Sequence, residues 1–235
     1  MLSSIPTCFS DNYSAETSTA SMKKLAPVAR AAEAAGYVTL HDPGLIDREK
    51  LRSLHDPDYV RAFITGKGDL AASQGWKWTA KIRTGVLAIN AGQLEGARMA
   101  MQHRIAANVA QGFHHAKPER GWYFCTFNGL ALVALEFPEK RIFVLDCDEH
   151  CGDGRQSSPR DCRIFLTSPS TEPTGECTRV SEASADTSSR GKTHSLITRR
   201  LCRKPFRRPR NGRPISSFTR PELTPMWMIR SVLGS

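Results

Sequence analysis

The chain has no apolar run approaching the roughly 20 residues that a membrane-spanning helix needs, so no such helix and no membrane partner are expected. It lacks the basic-then-apolar opening of a signal peptide, which argues against secretion. It also lacks an even, regularly spaced set of cysteines. Seven cysteines without repeating spacing predict thiols in a reducing compartment, cytoplasmic or, in a eukaryote, nuclear, rather than a disulfide framework. No internal repeat is visible, and no tyrosine follows Tyr123.

What remains is ordinary in bulk and uneven in distribution. The 235 residues are 40% hydrophobic and 24% charged with a net charge of +10, enough for one sizeable α/β domain. Residues 1–154 carry 17 basic and 17 acidic side chains, whereas residues 155–235 carry 16 and 6. The whole net charge therefore belongs to the second part, and a division into a domain over 1–154 and a tail over 155–235 follows.

Upstream of the break, apolar positions recur at helix or strand periods. Lys23–Ala35 keeps them three and four apart and stops at Gly36, a helix with its C-cap. Tyr37–Leu40 reads as a strand, Thr84–His103 as a helix and Ile105–Ala110 as a buried strand. Asn128 is placed to cap a helix over Gly129–Leu135, and Arg141–Leu145 reads as a short buried strand. Strands alternating with helices predict an α/β fold, a mostly parallel sheet between helix layers. Downstream, 22 of 81 residues are Ser or Thr, 14 are Arg and 8 are Pro, and no period is sustained. Such a segment has too little to bury and is expected to be disordered.

Two constellations carry chemistry. Gly112-Phe113-His114-His115-Ala116 sets adjacent imidazoles where a loop lets both rings enter one pocket. Their ordinary pKa near neutrality suits general acid–base work, with a solvated pair as the bland alternative. The second is Asp146-Cys147-Asp148-Glu149-His150-Cys151-Gly152-Asp153-Gly154, at the end of the apolar strand, where α/β sheets place their sites. Asp148 and His150 could hold a divalent cation with mixed oxygen and nitrogen ligands. Asp146 and Asp153 could accept hydrogen bonds from the two histidines. An acidic turn with a stray histidine is the bland alternative there. The flanking cysteines form no zinc-finger pair.

Together with Leu54-His55-Asp56-Pro57-Asp58-Tyr59-Val60 and Phe124-Cys125-Thr126-Phe127-Asn128, these elements resemble the histone deacetylase superfamily in order and spacing, over about residues 37–154. The resemblance implies the arginase/deacetylase fold and a Zn2+-dependent hydrolysis of acetyl-lysine or a small acetylated amine. It implies His114 as the general base, His115 as its partner, which protonates the leaving amine or stabilises the transition state, and Asp148 and His150 as two of three zinc ligands. Asp146 and Asp153 become the carboxylates paired with the histidines, and Phe124 the aromatic wall of the substrate channel. The departures are Cys151 where a second His is common, Trp122-Tyr123 where a Gly is usual before Phe124, and Gly129 in place of a frequent Asp. The third zinc ligand and the oxyanion-stabilising Tyr, well downstream in the family, have no counterpart in residues 155–235, so this chain is expected to be inactive as written.

A reading-frame shift just after Gly154 accounts for the break. Let each new codon over Arg155–Glu172 take the third base of one codon and the first two of the next. Permitted codons then give Ala-Glu-Phe-Ala-Gln-Arg-Leu-Pro-Asn-Ile-Phe-Asn-Phe-Ser-Ile-His-Gly, which resembles the family's continuation. A truncated sheet would leave an edge and an apolar face exposed. The rival is a genuine tail on a non-catalytic remnant, whose cluster Arg199-Arg200, Arg203-Lys204 and Arg207-Arg208-Pro209-Arg210 would bind nucleic acid through phosphates, without specificity and with strong salt dependence.

Overall fold

The computed structural model describes residues 4–138, 140, 142–146, 148, 154, 164–167 and 228–230, all within one unit of the chain. Strand β1 (Ile5–Cys8) is followed by α1 (Leu25–Ala34), β2 (Val38–His41), α2 (Arg48–Arg52), α3 (Pro57–Thr65) and the long α4 (Ala80–His103). Then come β3 (Ile105–Asn108), α5 (Gly129–Glu136), β4 (Ile142–Leu145), β5 (Ile164–Thr167) and β6 (Met228–Arg230). One sheet has the order β2-β1-β3-β6, with β1 parallel to β2 and β3 and β6 antiparallel to β3. A second pairs β4 with β5 in parallel, Ile142 opposite Ile164 and Leu145 opposite Thr167. This is the α/β architecture the alternation implies.

Local chemistry explains most boundaries. Gly36, at φ +73°, ends α1, and its N–H donates to the Glu33 carbonyl at 2.9 Å while that of Tyr37 reaches Ala32 at 3.1 Å, so the last carbonyls are satisfied. Helix α4 starts a turn earlier than its apolar stripe suggests, because the Thr79 hydroxyl accepts from the Ile82 N–H at 3.1 Å. Asn128 caps α5, its Oδ1 accepting from Ala131 at 3.1 Å.

Helix α4 organises the core. It lies along β1 and β3 and against α5, so Ile82, Val86, Ile89 and Leu94 are buried with Tyr13, Phe63, Trp76 and Phe127. Small residues allow the close approach: a Cβ at Gly92 would overlap the Tyr13 hydroxyl and stand 2.6 Å from Asn108 Oδ1.

One finding departs from expectation. Ile164–Thr167 and Met228–Arg230, in the segment expected to lack regular structure, are strands, the latter paired with Ile105–Ala107 of β3. The remainder of the basic tail, with its arginine clusters, lies outside the described residues. Among those residues no helix is long and apolar enough to cross a membrane.

Candidate active site

The loop between β3 and α5 carries the paired histidines, and a buried imidazole holds it in place. His55 precedes α3, whose N-cap Asp56 accepts from the N–H groups of Asp58 and Tyr59 ahead of Pro57, a proline at the position where a missing N–H costs nothing. The Asn128 N–H donates to His55 Nε2 at 3.0 Å. Nδ1 therefore carries the proton and donates to the Lys117 carbonyl at 2.9 Å. Burial is the main cause that lowers the His55 pKa to about 4, and the bond accepted by Nε2 requires the neutral ring. The Tyr59 hydroxyl donates to the Thr126 carbonyl at 2.6 Å, and the Asp56 N–H to that of Pro118 at 2.8 Å. Rings of His55, Tyr59, Phe63 and Phe127 pack between these bonds, with centroids 5.1–5.9 Å apart. The His-x-Pro-x-Tyr segment is thus a clamp on both arms of the histidine loop.

Within the clamp the backbone is strained. Among the described residues four non-glycines have positive φ, and three of them, Phe113, Tyr123 and Phe124, lie in this loop. Such conformations persist where the surroundings over-determine them, and they concentrate at functional sites. Trp122 and Cys125 exchange backbone hydrogen bonds of 2.9 Å, closing a tight hairpin with Tyr123 and Phe124 at its tip. Both tip residues have φ > 0, which the favoured type I′ hairpin turn demands. The Phe124 N–H donates to the Gln74 carbonyl at 2.8 Å, and its ring stacks on Trp76 at 5.9 Å.

His114 and His115 are buried at adjoining positions, their ring centroids 4.1 Å apart. Asp146, the residue after β4, is fully buried. Its Oδ2 accepts from His114 Nδ1 at 2.8 Å, and its Oδ1 from the Asp148 N–H at 3.1 Å. The proton on Nδ1 leaves His114 Nε2 as an acceptor, the arrangement of an oriented general base. The Gly154 N–H donates to the His114 carbonyl at 3.0 Å, and a Cβ at Gly154 would overlap the Ala116 carbonyl oxygen. The acidic segment thus meets the histidine loop at both Asp146 and Gly154.

Of the residues the sequence singles out, His114, His115 and Asp146 are brought together, and Phe124 is placed on the same loop. Asp148 follows two residues after Asp146. His150 and Asp153 lie outside the described residues. The structural role of His55, Tyr59 and Asn128 was not read from the sequence beyond the helix cap at Asn128. The signal was there in part: Asp56-Pro57 announces a helix start, and His55 immediately before it needs a partner when buried.

A buried histidine–carboxylate pair in the segments that follow parallel strands β3 and β4 makes this chain an α/β protein with its polar cluster where such folds place their sites. More particularly, it belongs to the histone deacetylase family, whose Histone deacetylase domain matches residues 17–170, past the composition break. An uncharacterized protein of Picosynechococcus sp. is 36% identical over 121 residues, 49% of this chain and 40% of that one. Histone deacetylase 2 of Arabidopsis thaliana is 32% identical over 80 residues, 32% of this chain and 21% of the plant protein. The chain thus spans less than half the length of these curated relatives. The fold is similar to that of an acetylpolyamine aminohydrolase from Burkholderia pseudomallei, with a TM-score of 0.61 and 19% identity over 73% of this chain and 64% of that one. The HDA15 HD domain gives 0.58 at 18% identity, covering 71% and 53%.

Proposed function

We propose that the chain carries the histidine side of a zinc-dependent deacetylase site acting on acetyl-lysine or a related acetylated amine, and that as written it turns over little or no substrate. The observation that carries this is the buried His114–Asp146 pair at 2.8 Å with the His115 ring against it.

The donor chemistry fits zinc. Both Asp146 oxygens are engaged, by His114 and by the Asp148 N–H, which makes Asp146 a positioning group. Asp148 and His150 are left as ligands of the carboxylate and imidazole types that zinc accepts. Among the described residues no group of three or more such side chains is gathered. When bound, zinc would polarise the acetyl carbonyl and lower the pKa of a water molecule.

The remaining work falls to the chain itself. Asp146 holds the His114 tautomer so that Nε2 faces the reaction and takes a proton from the attacking water. His115 supplies a proton to the departing amine. Phe124 gives an apolar wall to the amine's methylene stem, and Asp153 would orient the His115 ring as Asp146 orients that of His114. What is missing is a third ligand and a hydroxyl donor to the developing oxyanion, a contact type worth about 3 kcal/mol.

Zinc titration of the chain tests the ligand assignment. One bound equivalent is expected, held weakly, and lost on Asp148→Ala. No binding by the parent chain, or unchanged binding by the variant, would overturn it.

A further inference from the structure

We propose that Tyr123 determines specificity at this site: its ring forms the wall over His115 that admits an acylated primary amine on an unbranched alkyl stem and turns away a branched one. This rests on the deacetylase reading above. It adds a residue which that resemblance does not supply, since a Gly is usual at this point of the motif.

The backbone supplies the first reason. Tyr123 sits at φ +41°, where a side chain costs on the order of 1–3 kcal/mol and glycine costs none. The hairpin does not require tyrosine: it is closed by the Trp122–Cys125 pair and anchored by the Phe124 N–H on Gln74, and glycine would take the same φ without strain. An aromatic ring kept against that cost is there for what it touches.

Its contacts supply the second. Tyr123 is 63% exposed, whereas His115 is 8% exposed, and their rings meet edge to face at 5.4 Å. Trp122 also packs edge to face against Tyr123 at 5.0 Å, a second contact that restricts the ring. Tyr123 therefore forms surface directly above a buried histidine whose own ring touches His114. Phe124, 40% exposed and stacked on Trp76, stands beside it on the same turn. A methylene chain reaching His115 would lie along the Tyr123 ring at van der Waals distance. A branch on the carbon next to the amide nitrogen would meet that ring, whose movement its contact with Trp122 restricts.

Ligand-observed NMR titration of the whole chain separates the possibilities, with N-butylacetamide and N-tert-butylacetamide as probes and Tyr123→Gly and Tyr123→Phe as variants. Glycine takes the observed φ without strain and phenylalanine carries only the backbone cost that tyrosine already bears, so both variants should fold as the parent does. The parent chain and Tyr123→Phe should bind the linear amide about tenfold more tightly, within the range an apolar pocket achieves by shape. Tyr123→Gly should bind both amides about equally. A preference that survives Tyr123→Gly, or is lost in Tyr123→Phe, overturns the role of the ring alone, as does equal binding of both probes by the parent chain. No binding of either amide to any of the three proteins overturns the site assignment and this inference with it.

Discussion

His55 shows how one buried side chain fixes the position of others that do chemistry. Its two ring nitrogens tie the start of α3 to Lys117 and Asn128, at opposite ends of the segment that includes the Tyr123–Phe124 turn. The cost is paid in pH tolerance. The folded chain holds this group near 4 against an ordinary 6.5, burial being the main cause. A group whose pKa is lowered by folding stabilises the native state above its unfolded value, and that contribution fades as pH falls from 6.5 towards 4. A difference of this size corresponds to about 3 kcal/mol. Urea midpoints should therefore drop between pH 7 and pH 4.5, and His55→Gln should be less stable at pH 7 with much of that slope removed. A His55→Gln chain with the parent's slope would show that other groups carry the pH dependence.

The same scale accounts for what the sequence made visible. His114, His115 and Asp146 stand in short distinctive strings, so their types and order sufficed to suggest an oriented base. The partner of His55 could not be read, because both of its hydrogen bonds go to backbone atoms more than sixty positions away, which leave no trace in residue identity.

Elements with strong local signals were legible and those without were not. Asn128 before an apolar run announced α5, and Gly36 after an Ala-rich stripe announced the end of α1. Strand β1 escaped notice because Ile5-Pro6-Thr7-Cys8 is four residues with a proline and no alternation. It owes its place to parallel pairing with β2 and β3. Helix α3 begins inside the His-x-Pro-x-Tyr motif, at Pro57. Strands β5 and β6 are short apolar islands in an Arg/Ser/Thr-rich context, where composition pointed the other way.

Helix α4 offers a comparison within one element. A Cβ at Gly92 would overlap the Tyr13 hydroxyl, whereas at Gly96 it would meet nothing nearer than the Ala107 carbonyl at 3.6 Å. Gly92→Ala should destabilise by about 1–3 kcal/mol through overpacking. Gly96→Ala should be neutral or stabilise by up to about 1 kcal/mol, since alanine outranks glycine in a helix. Thermal unfolding of both variants checks the pair. Similar shifts of the same sign would mean that α4 does not approach Tyr13 as closely as described.

At the scale of the molecule, the chain joins a recognisable domain to a segment of different composition, and the family match over residues 17–170 crosses the junction. The domain supplies an oriented histidine pair, a positioning carboxylate and the clamp that holds them. Downstream of Gly154 no tyrosine occurs, and no Asp stands in a motif that would complete the ligand set. On the deacetylase reading proposed above, two ligands in place of three would leave a zinc ion loosely held, and lack of an oxyanion donor would alone cost about a hundredfold in rate.

The most direct measurement is acetate release from an acetyl-lysine peptide, with zinc supplied, by this chain and by a version whose reading frame is restored after the Gly154 codon. Negligible release by the chain as written and clear turnover by the restored one, abolished by His114→Ala, is the predicted result. Equal activity in the two proteins would contradict both the missing-ligand account and the frame shift behind it.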